Sequence, residues 1–150
     1  MKRSIYDLAI LGGEPAFREK LHVGRPNVGN RERFLQLISE ALDRRWLSND
    51  GPLVKQLESR IAEMLGVKHV IAVSNGTLGL QLAIWALRLR GEVIVPSFTF
   101  VATAHAVAWQ GALPVFVDIR RDGYDLDPEQ VEKAITPKTT GIIAVHVYGR

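Results

Sequence analysis

Residues 93–117, VIVPSFTFVATAHAVAWQGALPVFV, decide the fold. Val93-Ile94-Val95 is a short β-branched run stopped by Pro96. Residues 100–109 read as a helix that ends at Gly111, and Pro114-Val115-Phe116-Val117 is a second apolar run of strand length. Outward from this unit the alternation continues. Upstream, Val70-Ile71-Ala72-Val73 reads as a buried strand. A helix from Gly76 to about Arg90 follows, with Leu80, Ala83, Ile84 and Leu87 facing inward. Downstream, Asp127-Pro128-Glu129-Gln130 opens a further helix, with Asp127 as cap and Pro128 at the tolerated first position. Ile142-Ile143-Ala144-Val145 is the last strand. Apolar strands separated by helices predict an α/β fold of three α/β/α layers with a mostly parallel sheet.

The front of the chain is different. Residues 1–29 are rich in Gly, Pro and Arg without a sustained period, and read as an irregular arm. From Asn30 onward Phe34, Leu35, Leu37, Ile38, Ala41 and Leu42 recur at helical spacing, and Arg44-Arg45 close that helix. Residues 46–52 form a turn-rich loop. A second helix carries Leu53, Leu57, Ile61, Met64 and Leu65 and stops at Gly66, a left-handed cap. The expected division is an arm over 1–29 and a single domain, or the front of a longer one, over 30–150. The second alternative is favoured because the sequence stops at Tyr148-Gly149-Arg150, directly after a strand.

Composition narrows the function classes. The 150 residues carry 19 Lys+Arg against 16 Asp+Glu, and the basic residues are scattered, so no nucleic-acid stripe is expected. No apolar run approaches the ~20 residues of a membrane span. Asp7 and the Gly12-Gly13-Glu14 turn interrupt any signal-peptide core. The absence of cysteine removes disulfide scaffolds and thiolate metal sites, and fits a cytoplasmic protein.

Chemistry is expected at the loops that follow the strands. Val73-Ser74-Asn75-Gly76-Thr77 lies between a strand and a helix. Gly76 permits close backbone approach, the helix N-terminus supplies unpaired N–H groups, and Thr77 adds a hydroxyl, which together suit a phosphate. An ordinary helix cap is the alternative reading. The order of glycines is neither a dinucleotide fingerprint nor a P-loop. Pro96-Ser97-Phe98-Thr99-Phe100 ends the next strand, at the sheet edge where α/β proteins bind ligands. An aromatic ring there can stack on a flat cofactor, or both phenylalanines can belong to the core. Asp118 and His146 end strands as well, and a turn or structural role is the plainer reading for each. His22, His69 and His105 show no metal-ligand spacing.

Taken in order, Trp46-Leu47-Ser48-Asn49-x-Gly51-Pro52, Ser74-Asn75-Gly76-Thr77, Val95-Pro96-Ser97-Phe98-Thr99-Phe100, Pro114-Val115-Phe116-Val117-Asp118 and Val145-His146-Val147-Tyr148-Gly149 resemble the DegT/DnrJ/EryC1/StrS family of sugar aminotransferases. The resemblance covers residues 21–150. It implies the large domain of the aspartate-aminotransferase fold, incomplete in this chain, with pyridoxal 5'-phosphate (PLP) as cofactor. By the same resemblance Gly76 and Thr77 hold the cofactor phosphate, Phe100 rather than Phe98 stacks on its ring, and Ser48 and Asn49 border the sugar substrate. Asp118 and His146 match recurrent positions to which no chemical role is given.

The implied reaction moves an amino group from an amino acid, glutamate or glutamine, to a keto-sugar. That acceptor is nucleotide-linked or, as Leu8–Gly13 also resembles an arm of members acting on keto-inositols, a keto-cyclitol. A homodimer is implied too. In the family, the lysine that holds PLP covalently and the aspartate that pairs with its ring nitrogen lie past the position of Arg150. Lys2, Lys20, Lys55, Lys68, Lys133 and Lys138 match none of that lysine's position. The catalytic residues are therefore not assigned. A second departure is the link Arg88–Glu92, shorter than the family's usual turn. Three other readings stay open: a PLP-dependent sugar dehydratase of the same family, a short non-catalytic remnant or interaction module, and a generic nucleotide-binding α/β domain.

Overall fold

The computed structural model describes residues 4–19, 21, 22 and 24–149; residues 1–3, Lys20, Val23 and Arg150 lie outside the described residues, and with them the Lys2 and Lys20 of the lysine comparison. The chain divides into two compact units, Met1–Leu53 and Val54–Arg150.

In the first unit the arm forms two short 3-10 turns, Ile5–Asp7 and Ala9–Leu11. Helix α1, Arg31–Arg44, begins where Asn30 Oδ1 accepts from the Arg33 N–H at 2.9 Å. It ends at Arg45, which takes a left-handed conformation (φ 52°). Phe34, Leu35, Ile38 and Leu42 are exposed on it, so its amphipathic pattern is present without being covered.

Helix α2, Pro52–Leu65, straddles the division between the units and stops at Gly66 (φ 64°), as the sequence predicts. The predicted strand 70–73 is a correction. No strand forms there, and Ile71 is 80% exposed. A strand is made by pairing, and among the described residues no neighbour pairs with this segment. Its Ala72 N–H is satisfied by the Glu58 carboxylate at 2.7 Å instead.

Helix α3 spans Gly76–Ala86, four residues shorter than expected. Arg88 is left-handed (φ 52°); its N–H bonds to Trp85 O at 3.0 Å and that of Leu89 to Ile84 O at 3.1 Å. These two bonds make a Schellman stop, which satisfies the last carbonyls. Ile84 is buried and Leu80 partly so, but Ala83 and Leu87 are exposed, against the expected inward face. The short link to the next strand is tightly held, with Gly91 at φ 91° and Arg90 Nη1 donating to Gln110 O at 2.7 Å.

Strands β1 (Glu92–Pro96), β2 (Leu113–Val117) and β3 (Thr139–Ile142) form a parallel sheet in the order β2-β1-β3. Between β1 and β2 runs α4, Ala102–Trp109; between β2 and β3 runs α5, Pro128–Ala134. β1 is paired on both edges, and Val93, Ile94 and Val95 have no exposed surface; Val93 and Val95 pack with Ile84, Ala106 and Val107 of helices α3 and α4. Pro114 lies in β2, an outer strand of the described sheet, where a missing N–H costs no ladder bond. The core joins Ile84, Val93, Val95, Ala106, Val107 and Ala112. The last strand is a second correction: pairing with β1 selects Thr139–Ile142 rather than residues 142–145, although Ile143 N still donates to Ile94 O at 2.8 Å. Among the described residues no helix is long and apolar enough to cross a membrane.

Candidate functional site

Two helix starts carry the candidate cofactor residues, and both lie in the second unit. At the first, Asn75 is extended (φ −164°) and its Oδ1 accepts from the Leu78 N–H at 2.9 Å. The cap therefore takes the third N–H of α3. Those of Gly76 and Thr77 come ahead of it, at the end where a helix carries partial positive charge. Gly76 does not have a positive φ, and a Cβ placed on it would meet nothing within 4 Å. Neither backbone conformation nor packing asks for glycine at this position. Open space in front of a helix N-terminus is what a phosphate cradle needs, so these residues fit the phosphate of PLP.

The second start is the loop between β1 and α4. Phe98 is 42% exposed and Phe100 77%, so neither is a core residue, and the alternative that buries both is removed. They differ in their partners. Phe98 stacks on Tyr124, with ring centroids 5.6 Å apart, whereas Phe100 presents its ring outward. The two rings therefore differ: Phe98 is engaged by Tyr124 and Phe100 is largely exposed. Helices α3 and α4 pack on each other, which ties the two candidate segments together through the helices they open.

Asp118, just past β2, accepts from Ser97 Oγ at 2.8 Å, and its carbonyl accepts from the Asp127 N–H at 3.2 Å. It thus holds the β1–α4 loop from the side. His146 does not end a strand; it precedes a short 3-10 turn, Val147–Gly149. Beside the Ser97–Asp118 pair is an open recess of ≈ 420 Å³ that Gln130 and Lys133 also line. Gly76, Thr77 and Phe100 do not line it, so this recess is separate from the candidate cofactor residues. Ser48 and Asn49 lie in the first unit, in an exposed loop closed by Trp46 Nε1 donating to Asn49 O at 3.2 Å.

Sequence reasoning missed Tyr124. Besides stacking on Phe98, it meets Tyr148 edge-on at 5.6 Å, so three loops at this end of the sheet share one aromatic cluster. A signal was present: Tyr124 is the only aromatic in the polar stretch 118–130.

The second unit thus combines a parallel α/β sheet with a glycine-opened helix start and an exposed aromatic ring in the loop after β1. The chain belongs to the DegT/DnrJ/EryC1/StrS aminotransferase family, whose family model matches residues 29–150. It is 44% identical over 126 residues to the dTDP-4-amino-4,6-dideoxy-D-glucose transaminase of Escherichia coli, an alignment covering 84% of this chain and 34% of the relative. The structure matches that of DesI in the presence of its TDP-sugar product, with TM-score 0.83 and 50% identity over 98% of this chain and 38% of that one. It also matches NtdA from Bacillus subtilis with bound cofactor PMP, with TM-score 0.75 and 37% identity over 79% of this chain and 28% of that one. These likenesses bear out the expected α/β fold. The chain spans about a third of the length of the curated relatives it matches.

Proposed function

We propose that this chain is the N-terminal part of the large domain of a PLP-dependent aminotransferase. The enzyme moves an amino group from glutamate or glutamine to a nucleotide-linked keto-sugar. Residues 1–29 form its arm and 30–150 the front of the cofactor-binding domain. The observation that carries the reading is Gly76, a glycine with no reason inside the chain, at the open N-terminus of α3. Family membership and the PMP bound to NtdA support the cofactor; the dTDP- and TDP-sugars of the transaminase and of DesI support the acceptor class.

When bound, PLP supplies an electron sink that lets an amino group pass between an amino acid and a ketone. This chain's residues hold and orient it. The Gly76 and Thr77 N–H groups and the Thr77 hydroxyl would hold the phosphate dianion, whose charge the α3 dipole would favour. The Phe100 ring, exposed in the loop after β1, would stack on the cofactor ring. Ser48 and Asn49 offer a hydroxyl and an amide to the sugar. The enzyme works as a homodimer in the cytoplasm.

The test uses the full-length protein. Loaded with PLP and given glutamate, it is expected to release 2-oxoglutarate, and then to convert a dTDP-linked 4-keto-6-deoxy sugar to the amino sugar, followed by mass spectrometry. Failure to retain PLP, or a sugar that loses water without gaining nitrogen, would refute the reading.

A further inference from the structure

The β1–α4 loop bears the ring assigned to the cofactor, yet Phe100 has no side-chain anchor of its own in the ring contacts of this cluster. What fixes the loop comes from elsewhere. Ser97 N donates to Val117 O at 2.8 Å and Ser97 Oγ to Asp118 Oδ1 at 2.8 Å. Phe98 stacks on Tyr124 with the planes 26° apart. Thr99 and Thr103 share a hydroxyl hydrogen bond of 2.9 Å, which ties the loop to the buried side of α4. Two of these anchors, Asp118 and Tyr124, belong to the segment between β2 and α5.

That segment is itself closed. Ile119 and Leu126 form an antiparallel bridge, Arg120 N donates to Asp125 O at 3.0 Å, and Asp127 N to Asp118 O at 3.2 Å. At its far end Asp127 caps α5, accepting from the Glu129 N–H at 2.9 Å. Residues 118–127 therefore form a small loop fixed at both ends, with a carboxylate and a phenol ring turned onto its neighbour. The two contacts flank Phe100 on its N-terminal side and are of different kinds. A directional hydrogen bond sets the position of residue 97, and a ring stack sets the rotation of residue 98. Phe100 follows two residues later and inherits both.

We infer that residues 118–127 are a brace for the cofactor loop, in which Asp118 (through Ser97) and Tyr124 (through Phe98) are positioning residues that set the tilt of the Phe100 ring. The inference rests on the reading of Phe100 as the ring that stacks on PLP. It assigns Asp118 and Tyr124 a task without contact with the cofactor. The stack needs the Tyr124 ring and not its hydroxyl, whereas the Asp118 contact needs an acceptor oxygen and not a charge.

The experiment uses the full-length protein loaded with PLP, and reads the visible circular dichroism of the bound cofactor together with its dissociation constant. Tyr124→Ala and Asp118→Ala are each expected to lower the dichroic signal and weaken PLP binding by roughly two- to ten-fold, the size of one lost ring pair or hydrogen bond. Tyr124→Phe and Asp118→Asn are expected to match the parent. In a Phe100→Ala background, Tyr124→Ala is expected to add no further loss, because the brace then has nothing to position. A parent-like Tyr124→Ala, or an equal additional loss in that background, overturns the brace while leaving Phe100 in place. A parent-like Phe100→Ala overturns the stacking reading and the brace with it. Should Tyr124→Ala fail to fold, Phe98→Leu removes the same stack while keeping apolar bulk, and the same outcomes decide.

Discussion

Gly76→Ala separates a ligand's demand for glycine from the protein's own. Inside the chain the substitution is free of obstruction, since the added Cβ meets nothing within 4 Å and the residue does not take a positive φ. Alanine also loses less backbone entropy than glycine, worth about 0.5–1 kcal/mol within a helix and less at a first position. The apoprotein is therefore expected to be unchanged or slightly stabilised. Cofactor binding is expected to move the opposite way. In the proposed cradle, a methyl group on Gly76 would keep the phosphate from the Gly76 and Thr77 N–H groups. A hydrogen bond to a charged group is worth about 1.5–3 kcal/mol, so losing one weakens PLP roughly 10- to 150-fold. The assays are thermal unfolding of the full-length apoprotein and a PLP titration followed by absorbance. Unchanged PLP affinity would refute the cradle. A drop in apoprotein stability of more than about 1 kcal/mol would show that glycine is needed by the fold after all.

Two further substitutions test the local structure, each by thermal or urea unfolding. Asp127→Ala removes the oxygen that accepts from Glu129 and Gln130 at the start of α5, and is expected to cost about 1 kcal/mol, while Asp127→Asn keeps the cap and most of the stability. In the α3–β1 link, opposite signs are expected at neighbouring positions. Arg88→Gly relieves a left-handed residue costing about 1–2 kcal/mol, and so stabilises. Gly91→Ala puts a Cβ 2.7 Å from Lys138 O at φ 91°, and destabilises by more than about 1 kcal/mol. Equal signs at the two positions would refute this account of the link.

These local features are also where the sequence was most legible. Asn30, Gly66 and Asp127-Pro128 mark helix ends within a residue because caps act over three or four positions. The strands were less legible, for a reason visible in two segments of like composition. Val93-Ile94-Val95 and Val70-Ile71-Ala72-Val73 are both short and apolar, yet one is fully buried and paired on both edges and the other is unpaired and largely exposed. Pairing partners are distant in sequence, and composition does not name them. The same holds for β3, where the register against β1 takes in Thr139 and Thr140 and releases Ala144 and Val145. At the candidate site, the helix start at Gly76 was legible because a glycine after a cap residue is a local pattern. Tyr124 was not, because its partner Phe98 lies on another loop.

The two candidate segments differ in how each is held within its own unit. The segment that bears Phe100 hangs from β1, whose central residues are the most buried in the chain, and is anchored by a carboxylate, a ring stack and a buried threonine. The loop that bears Ser48 and Asn49 is exposed over residues 46–50, with the Trp46 indole N–H donating to Asn49 O and a left-handed turn at Asp50 (φ 58°). Local stability follows buried contacts, so the first segment is expected to open less often than the second. Under the proposed roles, a ring that stacks on a cofactor calls for a rigid support, and a loop that meets a substrate calls for freedom to close. Amide hydrogen exchange on the full-length protein reads this gradient directly: strong protection from Val93 to Pro96, weaker protection over residues 97–101, and fast exchange over residues 46–50. If residues 46–50 exchange as slowly as β1 before any substrate is added, the loop is a fixed part of the scaffold and the division of labour drawn here is wrong.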